Sequence, residues 1–288
     1  MEAPARRGNR IYVSSEKGLT ALTRDEGKAV WTFEIKDGAR ESSPLPLNDR
    51  IIVAEYDGNV YAVGYDGRLV WKHDIVADEP PSPPKFDSKQ AVVGAAAARP
   101  TTMASDGVTV FQPVFNQSRL IAIDVETGKR RWSFQAKGWI FREPTVAKDR
   151  VFVGNQDDHL YCLDKKTGNV LWRFPTKSRI EAGAAYHDRS VYFGSCDGRF
   201  YRVDAASGKE VWNFQTPNRK GSDTAIYSAP LCTGDLVYFG SFDGHLYGLK
   251  TEQPPPGRRW VRQSAESPTL PRSEPLITVP SSALIPRC

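Results

Sequence analysis

Residues 151–174 read VFVGNQDDHLYCLDKKTGNVLWRF, and residues 191–214 read VYFGSCDGRFYRVDAASGKEVWNF. The two stretches start 40 residues apart and keep Gly, Asp, Tyr, Asp, Gly and Trp at matching places: Gly154/Gly194, Asp157/Asp197, Tyr161/Tyr201, Asp164/Asp204, Gly168/Gly208 and Trp172/Trp212. The same text returns from residue 51 (IIVAEYDGNVYAVGYDGRLVWKH) and from residue 237 (VYFGSFDGHLYGLK). Weaker copies begin at residue 11 (IYVSSEKGLTALTRDEGKAVWTF) and residue 119 (RLIAIDVETGKRRWSF). Tryptophans fall at 31, 71, 132, 172, 212 and 260, with Trp139 alone outside the register. Three of the five gaps are 40 residues and one is 61, a single period plus an insertion. A fixed period of this length marks a repeat architecture.

Within each copy, short alternating runs are separated by turn residues. Val151–Val153 leads to Asp157-Asp158, and the equivalent turns are Asp57-Gly58, Asp197-Gly198 and Asp243-Gly244. Asp-Gly between such runs predicts a tight hairpin of type I′, with positive φ at both central residues. The next run ends in a second turn, Lys166-Thr167-Gly168, before the strand that bears Trp172. Upstream, Pro44, Pro100, Pro144 and Pro230 each open a short segment, and proline is confined to the start or the edge of a strand. Four antiparallel strands per period describe a propeller blade. The all-β prediction is one propeller of six blades over residues 10–263: about 10–34, 43–73, 99–134, 143–174, 182–214 and 228–263. The first lacks a proline-led inner strand, so residues 1–9 read as an extension. In the Pro/Arg-rich tail 264–288, residues 274–279 repeat the Pro-Leu signature and are expected to return as that missing strand. The alternative is the start of a truncated seventh blade.

Composition agrees with strands. Of the 288 residues 40% are hydrophobic, and Trp, Tyr and Phe number 7, 11 and 13 against only 2 Met, a balance that suits sheets. No run approaches the roughly 18 apolar residues of a membrane helix. Lys and Arg number 39 against 34 Asp and Glu, and the charges are interspersed except in the tail, so no basic stripe or reading module points to nucleic acid. Cys162, Cys196, Cys232 and Cys288 form no CxxC pair and read as free thiols. Met1–Arg7 has no apolar leader segment.

The pattern x-G-S-x-D-G-x-L-Y-x-L-D-x-x-T-G-x-x-x-W-x-F resembles the PQQ-type β-propeller repeat. That repeat occurs in quinoprotein alcohol and glucose dehydrogenases and in BamB-like outer-membrane assembly lipoproteins. The resemblance spans about 10–250; it fades in the first copy, at Ala21-Leu22-Thr23, and in the last, where Thr251–Pro256 interrupts the Thr-Gly turn. It implies that Trp31, Trp71, Trp132, Trp172 and Trp212 dock one blade on the next. A large ring at one place in every period fits an inter-blade core on spacing alone. Kinship with the dehydrogenases would imply a bound quinone, a Ca²⁺ held by Glu, Asn and Asp, a catalytic Asp and often adjacent disulfide-linked cysteines. This chain has no adjacent cysteines and no CxxCH. Its Asp57, Asp157, Asp197 and Asp243 are accounted for by one turn, and Asp124, Asp164 and Asp204 by another. His159 and His245 share one repeat position and read as exposed strand residues. Gly128-Lys129 and Gly208-Lys209 lack the context of a phosphate loop. The expectation is no catalytic residue, no metal and no cofactor, PQQ included.

Function in such a scaffold belongs to what departs from the template. The loops leading into each inner strand share a face with the Asp-Gly hairpins. These lead-in loops are unequal: 74–98 is long and Pro-rich, and 137–143, 177–181 and 218–227 complete a rim. Trp139, Phe141, Arg142, Glu143, Arg179, Glu181 and Tyr227 are the binding candidates. Clustered aromatic and Arg residues resemble an interface hot spot; the competing reading folds Trp139 back over a blade edge. The leading expectation is a non-catalytic, monomeric ring binding a protein or peptide on that face, with a BamB-like cell-envelope role by resemblance. The alternative is a small ligand or quinone in the central channel, held by Arg142, Glu143, Arg179, Glu181 and Tyr227. A detached module of a longer protein is a third. The resemblance implies periplasm or envelope, whereas the leaderless start, if correct, implies cytosol.

Overall fold

The structure, a computed structural model, describes residues 4–39, 42–55, 58–78, 102–217 and 224–252. The strands form six antiparallel sheets that follow one another in chain order as the blades of a β-propeller. Blade one contains β1 (Ala5–Arg7), β2 (Arg10–Ser15), β3 (Gly18–Thr23) and β4 (Ala29–Glu34). Blade two contains β5 (Leu45–Pro46), β6 (Arg50–Ala54), β7 (Asn59–Gly64) and β8 (Leu69–Asp74), followed by a helical turn, α1 (Ile75–Asp78). Blade three contains β9 (Ala104–Ser105), β10 (Thr109–Val114), β11 (Arg119–Asp124) and β12 (Arg130–Gln135), with a 3₁₀ turn, Phe115–Gln117, between β10 and β11. Blade four contains β13 (Thr145–Ala147), β14 (Arg150–Gly154), β15 (His159–Asp164) and β16 (Val170–Pro175). Blade five contains β17 (Ala185–His187), β18 (Ser190–Gly194), β19 (Arg199–Asp204) and β20 (Glu210–Gln215). Blade six contains β21 (Leu231–Thr233), β22 (Leu236–Ser241) and β23 (His245–Lys250), and the stretch with Trp260 lies outside the described residues.

The innermost strands lie side by side: β1 next to β5, β9 next to β13, β13 next to β17, and β17 next to β21. The inner place of blade one corrects the sequence reading. Ala5–Arg7 pairs with β2 in the register Ala5↔Tyr12, Arg6↔Ile11 and Arg7↔Arg10, so residues taken as an extension complete the blade. A proline is not needed there, because an inner strand pairs on one side only and Gly8 at φ 57 turns the chain. The expected closing strand 274–279 and the insertion residues 79–101 lie outside the described residues.

Five apolar cores hold the blades together, each drawn from two neighbours. At each joint the tryptophan of an outermost strand reaches the next blade, and its indole Nε1 donates to a backbone carbonyl. The acceptors are Tyr65 for Trp31 (3.1 Å), Val125 for Trp71 (2.7 Å), Lys165 for Trp132 (2.9 Å), Ala205 for Trp172 (3.2 Å) and Thr251 for Trp212 (3.0 Å). Opposite every one of these tryptophans the strand register shifts, between Ala21/Leu22, Ala62/Val63, Ala122/Ile123, Cys162/Leu163 and Arg202/Val203. Such a bulge re-aims a side chain.

The indole lies on a turn glycine. A Cβ placed on Gly67, Gly128, Gly168 or Gly208 would come within 2.9, 2.7, 2.6 and 2.6 Å of the tryptophan ring, and all four have φ between 68° and 84°. The turn is locked by the aspartate at its start. Asp124 Oδ1 accepts from Thr127 N and Oγ1, Asp164 Oδ1 from Thr167 N and Oγ1, and Asp204 Oδ1 from Ser207 N and Oγ, all within 2.6–2.9 Å. These bonds favour the ionised form. Asp124 is pulled down to about 2, chiefly by Arg131, and Asp164 and Asp204 are lowered by the Thr167 and Ser207 hydroxyls.

The other hairpins depart from the expected type I′. Only the second residue of each pair is left-handed, Asp158 at φ 65, Gly198 at φ 77 and Gly244 at φ 85. Asn155 N donates to His159 O and Ser195 N to Arg199 O, which leaves a three-residue loop ending in a left-handed residue. The preceding aspartate is therefore free to turn its carboxylate inward, where Asp157, Asp197 and Asp243 accept the hydroxyls of Tyr161, Tyr201 and Tyr247.

Two measurements follow. Gly168→Ala adds a ring clash to the cost of a left-handed Ala and should destabilise by about 2–4 kcal/mol. Gly27→Ala, with nothing within 4 Å of the added Cβ, should lose only about 1–2 kcal/mol in urea melts. Because the turn aspartates have lowered folded pKa values, their stabilisation is present above their ordinary titration range and fades as pH falls towards 2. The urea midpoint should drop between pH 5 and pH 3, and Asp164→Asn should flatten that dependence.

Candidate functional site

The lead-in loops gather on the face that also carries the Asp157, Asp197 and Asp243 hairpins. An isoleucine pins each loop: Ile35, Ile75, Ile140, Ile180 and Ile226 are all at most 3% exposed. Buried polar side chains pin them again. Asn155 Nδ2 donates to Gly138 O at 2.6 Å, and Ser195 Oγ to Ser178 O at 3.0 Å. The rest of each loop is left to face outward.

The seven candidates fall into three groups. In the first, Trp139 and Phe141 close around Phe115 of the blade-three hairpin, with ring centroids 4.7 Å from Phe115 in each case and 6.0 Å from one another. All three rings are half-buried. Trp139 thus covers the blade-three hairpin while remaining partly exposed.

In the second, Arg179 Nε pairs with Glu181 Oε1 at 2.9 Å, and Gln156 Nε2 donates to the same oxygen at 2.6 Å. The Tyr227 oxygen first, then the Glu181 carboxylate, hold the Arg179 charge more firmly than usual. Burial pushes the Tyr227 hydroxyl up to about 12 and raises the Cys196 thiol beside it. Tyr227 meets Phe242 edge to face at 4.8 Å, and Phe242 is 55% exposed. Gln156 joins the two groups, because its backbone N–H donates to the Trp139 carbonyl at 3.1 Å.

In the third, Glu143 is exposed at the head of the inner strand of blade four and accepts from Thr102 Oγ1 of blade three at 2.8 Å. Its other oxygen lies 3.7 Å from where a Cβ on Gly183 of blade five would sit. Arg142 is exposed next to it. Loop residues 218–223 lie outside the described residues.

Phe115, Gln156, Cys196 and Phe242 belong to this face and were not among the sequence candidates. The last three share one repeat position, the residue before the hairpin aspartate, and their mismatch in an otherwise steady repeat was the available signal. The histidines are less exposed than expected: His159 and His245 are half-buried, each with Nδ1 on the carbonyl of its own turn aspartate, at 2.7 and 3.0 Å.

Asp157, Asp197 and Asp243 are the acidic residues a quinoprotein-type Ca²⁺ site would have to draw on among the described hairpins. Each is engaged inside its own blade by a tyrosine hydroxyl, and among the described residues no three His, Cys, Asp or Glu side chains gather around one point. Cys162, Cys196 and Cys232 are free thiols, and burial pushes Cys162 up to about 12 and Cys232 up to about 11. No helix among the described residues is long and apolar enough to cross a membrane.

Several known folds resemble this one. The computationally designed protein Ika8 aligns with a TM-score of 0.69 at 17% identity, over 88% of this chain and 71% of its own. BamB from Moraxella catarrhalis aligns with a TM-score of 0.62 at 20% identity, over 85% of this chain and 71% of its own. Quinohemoprotein alcohol dehydrogenase ADHIIG from Pseudomonas putida HK5 aligns with a TM-score of 0.55 at 20% identity, over 74% of this chain but 40% of the enzyme. At these identities the likeness is one of fold. No curated protein matches the chain in sequence. The family described as outer membrane protein assembly factor BamB matches residues 2–99 and 57–280, and the chain belongs to that family of PQQ-type repeat propellers.

Proposed function

We propose that the lead-in face is a protein-binding surface and that the chain acts as a non-catalytic scaffold in cell-envelope assembly, in the manner its family's name describes. The observation that carries this reading is the continuous strip from Phe115, Trp139 and Phe141 through Gln156 to Glu181, Arg179, Tyr227 and Phe242. It combines half-buried aromatic rings, an arginine held by a carboxylate, and one well-exposed phenylalanine. Rings anchored from below lose little freedom when a partner covers them, and aromatic and Arg residues dominate interface energetics. The ion pair sits at the edge of the rings, where it favours orientation over raw affinity.

A photo-crosslinking residue at Phe141 tests the surface, with Lys166 on the opposite turns as control. Adducts to a defined envelope partner should form from position 141 and not from 166. Trp139→Ala should weaken that partner by about 2 kcal/mol, roughly thirtyfold, in a chain still folded at the assay temperature, with a somewhat lower Tm because the ring also packs on Phe115 and Phe141. Equal adducts from both positions, or none from 141, would count against the face.

A second reading places a small ligand or a quinone in the channel, and Glu143, set between Thr102 and Gly183, favours it. A ligand that binds only the folded state raises stability by roughly 2.7 kcal/mol at a hundredfold excess over Kd. The expected outcome with PQQ and Ca²⁺ is no change in Tm; a rise of several degrees would put the channel reading ahead.

A further inference from the structure

The opposite face carries the turns between the first and second strands of each blade and those between the third and fourth. There the repeat allows one joint to be compared with another. In blade two, Arg50 opens the second strand, is 4% exposed, and points at the third-to-fourth turn of blade three. Its guanidinium is fully engaged. Nε donates to Asp49 Oδ1 at 2.9 Å, Nη2 to Asp49 Oδ2 at 2.6 Å and to Glu126 Oε2 at 2.9 Å, and Nη1 to the Val125 carbonyl at 2.8 Å.

Arg150 holds the same place in blade four: it pairs with Asp164 as Arg50 pairs with Gly64, and Asp149 precedes it as Asp49 precedes Arg50. The tryptophan bonds fix the rest of the correspondence, because Trp71 donates to Val125 O and Trp172 to Ala205 O. Ala206 therefore stands where blade three has Glu126. Arg150 Nη1 donates to Asp149 Oδ1 at 2.5 Å, and the guanidinium also lies near the Cys162 thiol and the Asp204 carboxylate, but its buried Nε makes no direct hydrogen bond to a carboxylate or a carbonyl. A buried cationic donor left without such a partner is costly.

Ala206 borders a cavity of about 320 Å³ between blades four and five, lined also by Lys148, Asp149, Arg150, Tyr186, Arg189 and Asp204. Three cations thus face two carboxylates, and both carboxylates are already engaged, Asp149 by Arg150 and Asp204 by Ser207. Lys148 and Arg189 hold left-handed backbone at φ 54 and 60, whereas the turn position of Lys148 is glycine in blades one and six, Gly8 and Gly234. The two-residue hairpin turns impose this conformation, Gly8 at φ 57 and Gly234 at φ 56 included, and so fix the backbone from which both cations project.

We propose that this cavity binds a carboxylate brought from outside, an acidic side chain of a peptide or protein ligand, with Arg150 as its anchor and Lys148 and Arg189 beside it. Glu126 shows the chemistry: together with Asp49, which takes Nε, it surrounds the equivalent arginine with carboxylate by accepting from Nη2, and Arg150 has no such second carboxylate. The site lies on the face opposite the proposed partner surface, so either reading can fail without the other.

The test uses the full chain and glutarate as probe, followed in ¹H–¹⁵N spectra, with sodium chloride at matched ionic strength and inorganic phosphate as comparisons. Glutarate should shift the amides of residues 147–150, 189 and 205–206 in a saturable way, and chloride should not. Ala206→Glu rebuilds the blade-three arrangement and should weaken glutarate at least tenfold while raising Tm. Arg150→Met should weaken it by a similar factor, and decides the matter alone if the glutamate variant fails to fold. No saturable shift, equal binding by Arg150→Met, or binding of phosphate but not glutarate would overturn the proposal.

Discussion

An indole lying on a glycine turn, with its N–H on the carbonyl at that turn, is the contact on which the rest of this molecule depends. A four-stranded blade has two apolar faces and no core of its own, so it is stable only when both are covered. Burying an indole removes on the order of 200 Å² from water, about 5 kcal/mol at the usual area coefficient before entropy is charged against it. The contact is directional as well, since the Nε1 bond sets how far and at what angle each blade meets the next. Gly67, Gly128, Gly168 and Gly208 are obligatory for two reasons at once: their backbone is left-handed, and the ring occupies the space a Cβ would need.

Because the joints sit at one place in every blade, the lead-in loops are relieved of holding the fold together. One buried isoleucine and one buried polar side chain are enough to fix where each loop starts and ends. The remainder can vary in length and chemistry, which is how Trp139, Phe141, Arg179 and Tyr227 come to share a face while belonging to different blades. On the other face the same regularity works in reverse. A repeat that satisfies Arg50 completely makes the incomplete surroundings of Arg150 visible.

Much of the candidate surface was legible because its residues interrupt the repeat. Trp139 is the tryptophan out of register, and Arg179 and Glu181 lie in a loop whose length and text differ from blade to blade. Phe115 was not legible, since it sits inside a hairpin that scans as template; Gln156 and Phe242 showed only as mismatches before the hairpin aspartate, and the neighbouring blade alone shows which way they face. The hairpin type was misread for a related reason: Asp-Gly and Asp-Asp are compatible with several turns, and the Asn155–His159 and Ser195–Arg199 bonds select among them.

The sequence by itself determined the blade, its strand order, the number of blades and the identity of the docking tryptophans. Periodicities of two and of about forty residues are properties of the chain alone, and so are the Asp-x-x-Thr-Gly turns that satisfy their own backbone. Only the tertiary structure decided that Ala5–Arg7 fills the inner place of the first blade, because a three-residue strand has no pattern of its own and is defined by its partner. It likewise decided the bulges that aim the tryptophans and the pairing of Gln156 with Glu181. The emptiness beside Arg150 is of the same kind. Each of these is a relation between segments far apart in sequence, set by how neighbouring blades meet.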